Sequence, residues 1–402
     1  MTKDTQFDIL YLTYKKEETT LQEIYFDNAA TTKVLESSAK IAYDIMISDY
    51  GNPSSVHGMG FKAETLLRNA RKELINALGA DERNYNLTFT ASGTEADNLA
   101  IIGYAKLMTK KGNRILMGNS EHPAVFGCKT ILESMGYEVL LIPNTNGVID
   151  TDFVKTNLND KTVLITHMMI NNETGAVYDI RNLCRIRDEL APKCIIHTDA
   201  VQAFLKTEKP LALCKADMIS ISSHKIHGPK GVGALLCKKG IRLSPVICGG
   251  GQEAGLRSGT EALPVICAFA NSAKLLSAKS LDSLHNVCEL YNYAENKIST
   301  ELPEIIINKP SVHTPYILSI SLPKIKSEVM LRYLSEKGIY ISAGSACSSK
   351  HKENRVLTNF GISPSLSDST IRISFSEYNS KDEIDILVKE ISNGISSLAK
   401  IR

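Results

Sequence analysis

Seven short β-rich runs (87–90, 114–118, 139–143, 162–170, 194–198, 218–223 and 232–237) follow one another along the chain, most of them separated by segments that read as helices. The helical segments include 61–80, which stops at Gly79, together with TEADNLAIIGYAKLMTK and IRNLCRIRDEL. Apolar strands joined by crossover helices predict an α/β fold, a mostly parallel seven-stranded sheet with helices on both faces. Sheets of this kind present their chemistry in the loops after the carboxyl ends of the strands. From about residue 275 the rhythm changes. A long helical stretch, 273–298, is followed by strands and helices in a different order, which predicts a smaller α+β domain. The expected division is a large domain over 25–275, with 1–24 and 276–402 forming the small one.

Composition removes several classes of function. Hydrophobic residues make up 43% and charged residues 22% of 402 residues, as in soluble globular enzymes. Lys plus Arg (46) and Asp plus Glu (44) nearly cancel, so no global basic field points to direct nucleic-acid binding. The longest apolar run, 262–270, is nine residues and contains a proline, far short of the ~20 that span a bilayer. The N-terminus lacks a basic segment followed by an apolar one, so no signal peptide is expected. Nine cysteines without a C-x-x-C pair suggest reduced thiols and a cytoplasmic protein.

The loops after the strands hold the informative residues. Lys225, in SSHKIHGPKG, follows the run ending at 223 among small hydroxyl residues. It suits a buried amine able to form a Schiff base, although a lysine at a turn is ordinarily a surface residue. About 26 residues earlier, Asp199 in HTDAVQA ends a strand. Alone it reads as a helix N-cap, but a carboxylate there can also pair with a protonated ring nitrogen. Gly93 and Thr94 open a helix and offer backbone N–H groups and a hydroxyl to a phosphate, or else belong to an ordinary Ser/Thr cap. His122 could stack on a planar cofactor and shuttle protons, or be structural. Asn171 and Asn172 are turn residues or amide donors to a substrate. A metal site at His224 and His227 is disfavoured because no further ligand cluster accompanies the pair.

Taken together these residues carry a resemblance. The strings YFDNAATT, GNPSSVHGMG, SGTEADN, EHPAV, NNETG, HTDAVQA, SSHKIHGPKG, GGGQEAGLRSGT, SAGSACSS and IRIS run in order from residue 25 to residue 374. The chain thereby resembles cysteine desulfurases of the NifS/IscS type, in the class V aminotransferase group of fold-type I pyridoxal phosphate (PLP) enzymes. The resemblance implies that Lys225 binds PLP as a Schiff base, that Asp199 pairs with the ring nitrogen, and that Gln202 bonds the ring hydroxyl while His122 stacks on the ring. It further implies that Gly93, Thr94, Ser222 and His224 bind the phosphate, and that Thr260 reaches the phosphate of a second subunit, hence a homodimer. Asn172 and Arg372 would hold the substrate carboxylate.

Cys347, in SAGSACSSKHKENR, separates this group from ordinary aminotransferases. Small and polar residues followed by charges predict a mobile, solvent-reachable segment there, able to carry sulfur from substrate to acceptor. Lys350, His351 and Lys352 are candidates for stabilising its thiolate. The other eight cysteines are expected to be small buried hydrophobes. The implied reaction takes L-cysteine to L-alanine with persulfide left on Cys347 for an acceptor protein. Selenocysteine lyase, a plain aminotransferase and a non-catalytic scaffold are the competing readings. Three departures from the family pattern concern detail: Ser376 and Glu377 replace a usual glycine-arginine, about 20 residues precede YFDNAATT, and no C-terminal extension for docking an iron–sulfur scaffold follows the last helix. The acceptor is therefore left open.

Overall fold

A computed structural model of the chain describes residues 23–344 and 354–398. The chain enters through β1 (Ile24–Tyr25) and then builds a sheet from β2 (Tyr85–Thr90), β3 (Arg114–Gly118), β4 (Glu138–Ile142), β5 (Thr162–Thr166), β6 (Ile195–Asp199), β7 (Met218–Ser222) and β8 (Gly233–Lys238). Its order is β2-β8-β7-β6-β5-β3-β4. Only β8 runs against its neighbours, pairing antiparallel with both β2 and β7, so the sheet is mixed but mostly parallel.

Consecutive residues of these strands serve different cores. Leu116, Ile165, Ile219 and Leu236 join one hydrophobic cluster, with Leu67, Leu74, Phe204 and Phe269. Their neighbours Ile115, Leu164, Met218 and Leu235 join another, with Ile101, Val125 and Leu132. The two-residue period of a strand thus sends adjacent apolar residues to opposite faces, both of which are covered. All five residues of β5 and all five of β7 are buried.

A third cluster gathers Ile24, Phe26 and Ala29 with Val287, Tyr291, Leu318, Ile373 and Leu387. Here β9 (Ile306–Ile307), β10 (Ile317–Ser321), β12 (Ser342–Ala343) and β13 (Thr370–Ser374) form an antiparallel sheet ordered β12-β13-β10-β9, and β11 (Ile339–Tyr340) pairs parallel with β1.

The stretch expected as one helix over 273–298 is two, Leu263–Ser277 and Ser280–Glu301. The first buries Phe269 and Leu276 in the large core, the second Val287 and Tyr291 in the small one. A single straight axis does not serve both, and the turn falls at Ala278 and Lys279, where no glycine or proline marks it. The run 162–170 is strand only to Thr166. Beyond it His167 Nδ1 bonds the Met168 carbonyl at 2.8 Å, and Met168 N donates to Glu121 Oε1 at 2.6 Å, turning the chain into the loop region.

Candidate active site

Lys225 stands one short turn beyond β7, and its Nζ donates to the carbonyls of Ala29 and Ala30, each at 2.6 Å. Those carbonyls belong to the segment after β1, so a stretch near the start of the described chain holds an amine placed by the large sheet. Burial pushes the Lys225 amine down to about 7, with the Arg372 and Lys206 cations adding to the effect and Asp27 and Asp199 opposing it. An amine so shifted is substantially neutral at physiological pH and nucleophilic. Ala29 O also accepts from Gln202 Nε2 at 2.8 Å.

Asp199 ends β6, is buried, and accepts from Val201 N at 2.9 Å. Burial raises its pKa, against the pull of His122 and Lys225. His122 ends the β3 loop, exposed, with Nδ1 accepting from Ala124 N at 3.1 Å. The protein around it lowers its pKa, and Lys225 and Arg355 act the same way against Asp199, favouring the neutral ring.

The residues expected to cradle an anion lie after β2 and β7. Ser92 caps the helix Gly93–Met108, its Oγ accepting from Glu95 N at 3.2 Å. A Cβ on Gly93 would lie 2.8 Å from Val201 Cγ2 and 3.4 Å from Ser222 Cβ, so the loops after β2, β6 and β7 meet there and only glycine leaves the space. The Oγ atoms of Ser222 and Ser223 are buried without a partner, a costly arrangement unless a ligand oxygen completes it. Thr94 is exposed beside them. His224 Nδ1 lies 3.3 Å from Thr31 Oγ1, and burial pushes its pKa down to about 4, so it is neutral. Thr260 is exposed in a loop whose Arg257 Nε donates to Glu95 Oε1 at 2.9 Å. The buried unpartnered Ser222 hydroxyl beside a helix N-terminus, a glycine cradle, a buried carboxylate and a buried amine fit a planar, aldehyde-bearing cofactor with a phosphate tail.

On the opposite side Arg372, on β13, donates to the Asn172 carbonyl at 2.7 Å and to Asp27 Oδ1 at 2.9 Å. Asn171, by contrast, is a buried turn residue: its Oδ1 accepts from Glu173 N and Thr174 N, and its Nδ2 donates to Ser120 O. Asp27 has no role in the sequence reading, although it sits inside YFDNAATT; its partner lies 345 residues away. Arg355 is also new. It donates to the Glu121 carbonyl at 2.6 Å and to that of Asn119, with its guanidinium 3.7 Å over the Phe126 ring.

Cys347, with Lys350, His351 and Lys352, lies outside the described residues. The residues flanking that segment are placed. Asn354 Nδ2 donates to Glu173 Oε2 at 2.8 Å, and a Cβ on Gly344 would lie 2.6 Å from the same oxygen. Cys128, Cys184, Cys194 and Cys237 are buried, and burial pushes each thiol up to about 12. Cys248 corrects the expectation for the remaining eight, since it is exposed; Cys214, Cys267 and Cys288 are only half-buried. Glu377, one of the departures from the family pattern, lies 3.8 Å from His227 Nε2, while His227 Nδ1 bonds the Lys33 carbonyl. Among the described residues no group of three or more His, Cys, Asp and Glu could hold a metal ion.

Residues 24–387 match the family described as Aminotransferase class-V. The cysteine desulfurase IscS of Buchnera aphidicola subsp. Schizaphis graminum is 38% identical over 386 residues, covering 93% of each chain. The chain belongs to the class-V aminotransferases, in their NifS/IscS cysteine desulfurase branch. A solved NifS-like protein superposes on this family member with a TM-score of 0.87 at 31% identity, covering 94% of this chain and all of the other. A second solved structure, SspA in complex with cysteine, gives a TM-score of 0.77 at 30% identity over 89% of this chain and all of the other. The fold is therefore that of the NifS-like enzymes, with a seven-stranded sheet flanked by helices. No described helix is long and apolar enough to cross a membrane.

Proposed function

We propose that this chain is a PLP-dependent cysteine desulfurase that converts L-cysteine to L-alanine and passes the sulfur, as a persulfide on Cys347, to an acceptor protein. The observation that carries the reading is the convergence of Gly344 and Asn354 on Glu173, next to Asn172. The two ends of the segment bearing Cys347 thus adjoin the loop that faces Arg372. A solved relative in complex with cysteine supports the choice of substrate.

PLP, bound through Lys225 and the cradle of Gly93, Thr94, Ser222 and His224, supplies an electron sink for the substrate's Cα and Cβ. Asp199, a buried carboxylate, would pair with the ring nitrogen and favour its protonated form, and Gln202 and His122 would set the ring's position. Arg372 and Asn172 hold the substrate carboxylate. Lys225 would take the proton from the substrate Cα and return it, a task suited to an amine held near 7. The Cys347 thiolate attacks the substrate sulfur. An S–S bond forms as the C–S bond breaks, the electron pair stays with carbon, and a proton completes alanine. The Cys347 thiol has become a persulfide, so atoms and electrons balance without an external oxidant.

The expected quaternary state is a homodimer. Tyr43, Met46 and Ile47 on the helix Glu36–Ser48, Tyr50 in the connection after it and Phe61 at the start of Gly58–Ala77 are exposed, an apolar surface that a second copy would cover. The exposed loop carrying Thr260 fits delivery of that hydroxyl to the partner's phosphate. A cytoplasmic location accords with the unpaired thiols. Alanine release from L-cysteine, with and without a thiol reductant, tests the reading. One equivalent per subunit without reductant and many with it is the expected pattern; no alanine in either condition would sink it.

A further inference from the structure

Asp27 joins two parts of the site that the sequence keeps far apart. Its Oδ1 accepts from Arg372 Nη2 at 2.9 Å and from Ser342 Oγ at 2.7 Å. Arg372 and Ser342 are direct partners across the antiparallel pair β12 and β13, and Asp27 bridges in parallel to Ser374 of β13. Backbone pairing therefore fixes all three residues before any side chain is placed.

The guanidinium is almost fully enclosed, 7% exposed, and its other terminal nitrogen donates to the Asn172 carbonyl at 2.7 Å. A guanidinium has five N–H donors. One on each terminal nitrogen is committed to protein oxygen, while Nε is buried with no acceptor. A buried unspent donor beside a carboxylate-binding nitrogen points to an oxygen that arrives with a ligand. Because Asp27 occupies a single hydrogen of Nη2, it need not leave when that oxygen comes.

We propose that Asp27 is a positioning residue. It orients the Arg372 guanidinium so that the Nε–H and the remaining terminal hydrogens meet the α-carboxylate of the amino-acid substrate, and Ser342 locks the aspartate in place. The proposal rests on the desulfurase reading for the identity of that substrate. Removing the Asp27 charge has two opposed effects. Repulsion of the incoming carboxylate is relieved, but the guanidinium loses the contact that sets its plane. Orientation decides the sign, because a bidentate pair is lost when the fork turns.

The test uses the purified holoenzyme and follows the cofactor's absorbance. It is titrated with L-alanine, which carries the carboxylate, and with cysteamine, which carries an amine and thiol but no carboxylate. Asp27→Ala is expected to weaken L-alanine about tenfold while leaving cysteamine within about twofold, and to raise KM for L-cysteine more than it lowers kcat. Asp27→Asn, which keeps an oxygen acceptor, recovers part of the loss, and Ser342→Ala moves affinity in the same direction by a smaller factor. Equal losses for both ligands would assign Asp27 to Lys225 or to the fold, and unchanged or tighter L-alanine binding would remove its role; either overturns the proposal alone. A wild-type enzyme silent to both L-alanine and L-cysteine would overturn the desulfurase reading and this inference with it.

Discussion

At Lys225 the structure converts burial into a pH dependence. An ordinary lysine amine, near 10.5, is almost wholly protonated at neutral pH, whereas this one is held near 7. A protonated amine has no lone pair to offer a carbonyl, so covalent capture of PLP by the cofactor-free protein is expected to rise with pH through about 7 and level off above it. Borohydride trapping across a pH series measures this, and Lys225→Ala abolishes the trapped adduct. Glu121 works in the opposite sense. Burial, aided by the Asp199 charge, pushes its carboxyl up to about 8, and its Oε2 has no partner. Between the ordinary 4.5 and 8 the native state binds a proton that the unfolded chain does not, so this residue's contribution to stability falls as pH rises through that window. Glu121→Gln keeps the Oε1 that accepts from Met168 N. The variant is expected to melt above wild type at pH 9 and to show a flatter pH profile.

At the scale of elements, helix Gly93–Met108, which opens at the candidate anion cradle, packs closely at Gly103 against the segment that follows β8. A Cβ there would fall 2.7 Å from the Ser244 carbonyl, and Ser244 N already donates to Gly103 O at 2.9 Å, so neither backbone can retreat. Alanine in mid-helix is intrinsically better than glycine by roughly 0.5–1 kcal/mol. Forcing extra volume into a packed contact costs about 1–3 kcal/mol, so the clash prevails. Gly103→Ala should therefore lower the urea midpoint. Elements also mark where the sequence was readable. All seven strands of the large sheet were legible as short β-rich runs bounded by helical segments or turns, and Gly79 marked a helix end. The start of that helix was not, because its cap is His57 Nδ1 accepting from Gly60 N, an atypical capping residue. Nor was β1, whose two residues become a strand only against Ile339 and Tyr340, more than three hundred positions away. The candidate site divides the same way. Lys225, Asp199 and Gly93 announce themselves as loop residues after strands, whereas Asp27 and Arg355 act through partners that only the folded chain supplies.

For the whole molecule, the proposed homodimer would cover the exposed apolar surface around the first two helices and draw on the exposed Thr260 loop. Tyr50→Glu with Phe61→Glu, both side chains exposed in the monomer, should leave the fold intact and shift sedimentation from dimer to monomer. If the cradle needs the partner's hydroxyl, PLP retention on gel filtration should fall with it.

The division of each central strand between two cores has a consequence for how such a protein can change. Adjacent residues such as Ile219 and Met218 look in opposite directions, so the sheet counts in steps of two. Gaining or losing one residue within β6 or β7 would invert that parity and carry Asp199 or Lys225 to the wrong side of the layer. Substitutions can accumulate in these strands, while changes of length are confined to the connections. The family should therefore diversify by lengthening and shortening its loops, with the spacing from strand end to reactive side chain held constant.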